Sequence, residues 1–138
     1  MSIKYLLDTN TISEPARPLP NRRLLVLLER HAEEIAIAAP VWHELLFGLQ
    51  RLPPSAKRMR IEEFLFGAVI DLPILPYDTA AAEWHAAQRA RLEAKGRGPA
   101  FIDGQIAAVA HANSLIVVTA NLAHFEVFEG LQSESWIG

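Results

Sequence analysis

The chain has 138 residues, no cysteine and a formal net charge of −3; 51% of its residues are hydrophobic and 21% charged. That length suits a single domain spanning residues 1–138 with a substantial core, and the missing cysteines exclude disulfides and thiolate metal sites. An acidic balance argues against nucleic-acid binding driven by charge alone, no apolar run approaches the roughly 18 residues of a membrane span, and the opening residues lack the basic flank and cleavage site of a signal peptide. A cytoplasmic protein without membrane contact is expected.

Ile3–Leu7 reads as a short buried strand, closed by a turn at Asp8-Thr-Asn-Thr. Three prolines (15, 18 and 20) stiffen the connection to a helix over Arg22–His31, with Asn21 as its N-cap. A second strand is expected over Glu34–Ala38. Pro40 suits the first turn of a helix reaching Gln50. Pro53-Pro54 breaks the chain, and Ser55 caps a helix to about Gly67. Val69–Leu75 is apolar enough for a third strand, with Pro73 restricting it to an edge. Asp78 or Thr79 caps a long helix to Ala94, stopped by Gly96 and Gly98. The next helix covers Pro99–Asn113, and Leu115–Thr119 is the clearest buried strand. Asn121–Phe125 forms a loop or helical turn, and Leu131–Trp136 a last strand. Short apolar strands alternating with helices predict an α/β fold: three layers, α/β/α, around a mainly parallel sheet of four to five strands.

Three acids stand at the edges of these apolar segments. Asp8 ends the first strand, Glu44 lies in the Pro40–Gln50 helix, and Asp103 opens the helix before the Leu115–Thr119 strand. In open parallel sheets, sites form beyond the carboxyl ends of the strands, so one core brings all three to the same edge. Carboxylates that converge repel one another unless a positive group holds them. A hard divalent cation does so with oxygen ligands, which points to metal-assisted phosphodiester chemistry. Two basic clusters, Lys57/Arg58/Arg60 and Arg89/Arg91/Lys95/Arg97, read first as solvated helix faces and second as a rim contacting a nucleic-acid backbone. His43 adjoins Glu44 but points elsewhere on a helix. His124 reads first as a structural or surface residue and second as a contact to RNA or a partner.

Four segments in order carry a resemblance: Leu-Leu-Asp-Thr-Asn-Thr-Ile-Ser-Glu (6–14), Trp-His-Glu-Leu-Leu-Phe-Gly (42–48), Ile-Asp-Gly-Gln-Ile-Ala-Ala-Val-Ala (102–110) and Val-Thr-Ala-Asn-Leu-Ala-His-Phe (118–125). Together they resemble the PIN-domain ribonucleases, and within them the VapC-type toxins of type II toxin–antitoxin systems. The resemblance implies a metal-dependent endoribonuclease that hydrolyses RNA phosphodiester bonds through a metal-activated water. Asp8, Glu44 and Asp103 match the family's metal ligands for Mg²⁺ or Mn²⁺. Asn121 matches a fourth catalytic position, often Asp, and Thr119 and Asn10 match polar positions that place substrate or water. The implied partners are RNA, a small VapB-like antitoxin and a second copy of the chain, with DNA reached only through the antitoxin.

Asn121 keeps a second reading open, a catalytically weak PIN domain that serves as a protein or nucleic-acid scaffold. Other classes fit less well. Asp8-Thr-Asn10 lacks the Asp-x-Asp of haloacid-dehalogenase-type phosphatases and the acidic pair of receiver domains. No Gly-x-x-x-x-Gly-Lys phosphate loop or Gly-x-Ser-x-Gly elbow is present.

Overall fold

The computed structural model describes residues 2–138. Five short strands form one parallel sheet: β1 (Tyr5–Leu7), β2 (Ile35–Ala38), β3 (Ile74–Leu75), β4 (Ile116–Val118) and β5 (Ser133–Glu134), in the order β3-β2-β1-β4-β5. β1 sits at the centre, with Leu6 opposite Ala36 on one side and Val117 on the other. Parallel strands need crossovers, and seven helices supply them: α1 (Thr9–Ser13), α2 (Arg22–Arg30), α3 (Ala39–Gln50), α4 (Ala56–Gly67), α5 (Thr79–Ala94), α6 (Phe101–Ala112) and α7 (Leu122–Glu126). They cover both faces of the sheet, the expected three-layer α/β/α arrangement. Leu6, Leu7, Ile37, Val117 and Val118 are fully buried between the layers with Val41 and Val109. Continuous apolar strands are what a sheet covered on both faces requires.

Caps set the helix starts where the sequence marks them. Asn21 accepts a hydrogen bond from the Leu24 amide (3.0 Å), Ser55 from Arg58 (3.1 Å) and Asp78 from Ala81 (2.9 Å). Gly96, with φ of +68°, lets the chain leave α5 in a left-handed conformation.

The Val69–Leu75 run departs from expectation. Val69–Asp71 forms a 3₁₀ turn, and only Ile74–Leu75 pairs, at the sheet edge. Pro73 has no N–H to give a ladder, and its carbonyl instead accepts from the Ile37 amide at 3.1 Å. Apolarity marked this segment as buried but did not distinguish a tight turn from a strand. No helix among the described residues is long and apolar enough to cross a membrane.

The strand order fixes where a site can form. From β1 the chain builds β2 and β3 outward on one side; β4 and β5 lie on the other. The reversal opens a crevice between the carboxyl ends of β1 and β4. Asp8 directly follows β1 and Thr119 directly follows β4, and the Asp8 amide donates to the Val118 carbonyl at 3.1 Å, tying the two ends together.

Candidate active site

At this crevice Asp8, Thr9, Asn10, Glu44, Ile102, Asp103, Ile106 and Asn121 line a cleft of about 240 Å³. Four chain segments meet here: the end of β1, the middle of α3, the first turn of α6 and the loop after β4. Asp8 is buried and doubles as the N-cap of α1, its Oδ1 accepting from the Thr11 amide at 2.9 Å. The other carboxylate oxygen has no protein donor among the described residues. Glu44 projects from the sixth position of α3. Asp103 is the third residue of α6, so it enjoys the dipole of the first turn without being the cap.

Burial raises the proton affinity of Asp103 above the ordinary carboxylate range. His124 opposes this and the charge on Asp8 adds to it. His124 Nδ1 stands 3.5 Å from Asp103 Oδ2. His124 is exposed, in keeping with a surface residue, and it also reaches the site because α7 packs beside α6. The pairing joins two helices across a strand, so no local pattern announces it.

Asn121 and Asn10 both face the cleft. Thr119 does not. It is fully buried, and its Oγ1 accepts from the Asn121 amide at 2.9 Å, so it holds the turn that carries Asn121. Thr9 also lines the cleft and was not singled out from sequence. His43 lies outside the cleft, stacked on Phe47 at 6.3 Å between ring centroids.

A further residue shapes the site from below. An added Cβ at Gly104 would lie 2.2 Å from His85 Nε2 and 2.7 Å from its Cδ2. The His85 ring is buried, and Nδ1 lies 2.8 Å from the Tyr77 hydroxyl. Glycine lets α6 approach α5 here, and the contact sits one residue from Asp103. A glycine inside an otherwise apolar helix is the sequence signal for such close approach.

The donor set fits a hard cation: carboxylate and amide oxygens, with no sulfur or imidazole among the cleft residues. Among the described residues, no three acidic or histidine side chains are grouped tightly enough to hold an ion as they stand.

The PIN-domain family model matches residues 5–129, a span that includes every residue of this cleft. This chain belongs to the PIN-domain family. A protein named Toxin FitB from Neisseria gonorrhoeae is 36% identical over 124 residues, covering 87% of this chain and 89% of that protein. A protein named tRNA(fMet)-specific endonuclease VapC from Salmonella typhimurium is 30% identical over 134 residues, 97% of this chain and 98% of its own length. Among solved structures, DNA-bound VapBC from Salmonella typhimurium superposes with a TM-score of 0.86 at 30% identity, covering 97% of this chain and 98% of that one. The PIN resemblance read from four short segments therefore extends across the whole described fold.

Proposed function

We propose that this PIN-domain protein is the toxin of a toxin–antitoxin pair and acts as a divalent-metal-dependent endoribonuclease. The observation that carries the reading is the meeting of Asp8, Glu44, Asp103 and Asn121 in one cleft at the sheet switch point. The names of the relatives, a toxin and a transfer-RNA endonuclease, supply the substrate class.

Asp8, Glu44 and Asp103 would hold Mg²⁺ or Mn²⁺. When bound, such a cation supplies Lewis-acid activation of water and neutralises charge at the attacked phosphate. The side chains divide the remaining work. The Thr11 amide fixes one oxygen of Asp8 and so its orientation. Glu44 has no hydrogen-bond partner among the described residues and is free to accept a proton from the attacking water. Asn121 contributes an amide oxygen and an N–H₂ that orient water or a phosphate oxygen, and Thr119 holds its backbone in place. Asn10 stands at the cleft as a further polar contact.

The partners follow the same relatives. An antitoxin segment has a groove of about 310 Å³ available between α1, α3 and α4, with Leu45, Ile61, Phe64 and Leu65 as its floor and Arg17, Lys57 and Arg60 at its edge. A homodimer, with DNA contacted only through the antitoxin, completes the proposal.

The test is to incubate partner-free wild type and Asp8→Asn with total cellular RNA in Mg²⁺, Mn²⁺ or EDTA and to sequence the new ends. Discrete metal-dependent cuts by wild type alone are expected. A folded wild-type protein that binds the metal and cuts nothing would favour the scaffold reading, with Asn121 as the residue to restore to Asp.

A further inference from the structure

A second cleft, of about 340 Å³, opens beside the acid pocket and shares Asp103 as a wall. One side is the segment 97–100 that links α5 to α6; the other is α7 with Ala123, His124 and Val127. Its walls are mainly aliphatic, from Pro99, Ala100, Ala123 and Val127. Arg97 lies at its edge, and His124 stands where the two clefts join.

The cations nearby are not equivalent. Arg89 is taken up by Glu93 at 2.6 Å, and Arg91 by Glu129 at 2.9 Å and the Val127 carbonyl at 2.7 Å. Arg97 is exposed and enters no ion pair among the described residues. Its backbone is nevertheless fixed, because its amide donates to the Leu92 carbonyl at 2.8 Å. The chain as a whole carries −3, so its net charge does not draw in a polyanion and a local cation must do so. A free guanidinium beside an aliphatic slot offers two complementary contacts: charge-assisted hydrogen bonds for a phosphate, and an apolar surface for a base and ribose.

We propose that this cleft is a subsite for the nucleotide adjoining the scissile phosphate of a single-stranded RNA, with Arg97 contacting its phosphate and the Pro99–Ala123–Val127 walls holding its base. The cleft is of the size that takes a single small ligand, which suits one unpaired nucleotide. The inference rests on the ribonuclease reading above and adds the means by which the chain chooses where to cut.

Two measurements test it. First, a short fluorescein-labelled oligoribonucleotide spanning the most frequent mapped cut is titrated with Asp8→Asn protein, with and without Arg97→Gln or Arg97→Lys, over a series of salt concentrations. Arg97→Gln is expected to weaken binding about tenfold and to lower the slope of log affinity against log salt by about 0.7, the contribution of one single-strand phosphate. Arg97→Lys is expected to retain the slope, which a merely structural role would not distinguish. Second, Ala123→Trp, at an exposed position on the cleft wall, is placed in the otherwise wild-type chain and its cut sites in total RNA are sequenced. A changed preference at the nucleotide beside the cut is expected. If wild type cuts RNA while the Arg97→Gln slope and the Ala123→Trp cut sites both match their parents, the subsite is wrong and the ribonuclease reading stands. If wild type neither cuts RNA nor, as Asp8→Asn, binds the oligonucleotides tested, both readings fall together.

Discussion

The two ends of the sheet treat the same chemical group in opposite ways. Before β1 and β2, Glu34 sits between Lys4 Nζ at 3.1 Å and His31 Nδ1 at 2.7 Å, and its proton affinity is lowered, chiefly by the hydrogen bond from His31. The His31 ring stacks on Trp136 at 5.2 Å between centroids, and Tyr5 meets both rings edge-on at 4.9 and 5.0 Å. Beyond β1 and β4, Asp103 is raised by burial, against the opposing pull of His124 and with a smaller push from Asp8. One carboxylate is made comfortable by partners; the other is left charged, half-buried and beside another acid. Fully paired charge closes one end of the sheet, and converging acids with only His124 beside them at the other end are what give that end a use for a cation.

The strongest way to break this comparison is to remove charge from the reactive end. Asp8→Asn is expected to lower RNA cleavage by at least about 100-fold while the protein stays folded, because asparagine also caps helices. Asp8→Ala should lose the same activity and also destabilise the fold by about 1 kcal/mol, since it removes the acceptor for the Thr11 amide. Relief of the repulsion with Asp103 offsets part of that cost. Urea melts of both variants beside a cleavage assay separate the two roles. Equal cleavage by Asp8→Asn and wild type would end the catalytic assignment.

Support beneath the acids is tested next. Gly104→Ala drives a methyl group into the His85 ring. The ring is buried and tethered to Tyr77, so it has little room to yield. Overpacking of this kind costs about 1–3 kcal/mol, set against about 1 kcal/mol of helix propensity gained by replacing glycine. A net loss in urea stability is expected in the wild-type background. In a His85→Ala background the clash is gone and the same substitution should stabilise. Additive effects in that double-mutant cycle would show that the two residues do not meet.

These tests also show what was legible in the sequence. The strands at Ile3–Leu7, Glu34–Ala38 and Leu115–Thr119 were readable because a doubly covered parallel sheet demands unbroken apolar runs, and the helix starts at Asn21, Ser55 and Asp78 because capping is local chemistry. Asp8, Glu44 and Asp103 stood out because each acid interrupts an apolar segment. What the sequence did not show depended on contacts between distant segments. His124 gains its place only from the packing of α7 beside α6. Thr119 belongs to the motif but is turned inward by the Asn121 amide. Gly104 did carry a signal, an unexplained glycine in a helix, whose meaning needs the position of His85.

Asp103→Asn gives a smaller and pH-dependent effect. A carboxyl with a raised folded-state pKa binds its proton more tightly in the folded protein than in the unfolded chain. Stability therefore falls as pH rises from the ordinary carboxylate range, about 3.9, through the raised value, and the cost persists at neutral pH. Without divalent cation, Asp103→Asn is expected to be more stable than wild type at pH 7 and to lose that advantage at pH 3. An advantage that did not change with pH would assign the effect to packing. Added Mg²⁺ should narrow the gap by stabilising wild type alone, because only wild type keeps all three carboxylates to bind it.

The smallest effect belongs to the satisfied end. Glu34→Gln removes a charge that lies near solvent and contacts Lys4 and the His31 ring, and exposed pairs of this kind contribute little and are screened by salt. The sign is opposite to that of Asp103. Because the folded-state pKa of Glu34 is lowered, its contribution is present above the ordinary carboxylate range and disappears as pH falls through the lowered value. Glu34→Gln should thus be slightly less stable than wild type at pH 7 in low salt and equal to it below the lowered pKa. RNA cleavage should be unchanged, because Glu34 precedes β2 and the acid cleft lies beyond the other end of the strands. Thermal melts at two salt concentrations and two pH values settle the sign. If Glu34→Gln instead stabilised the protein at neutral pH, the partners around Glu34 would be insufficient to hold a charge there, and the contrast between the two ends of the sheet would collapse.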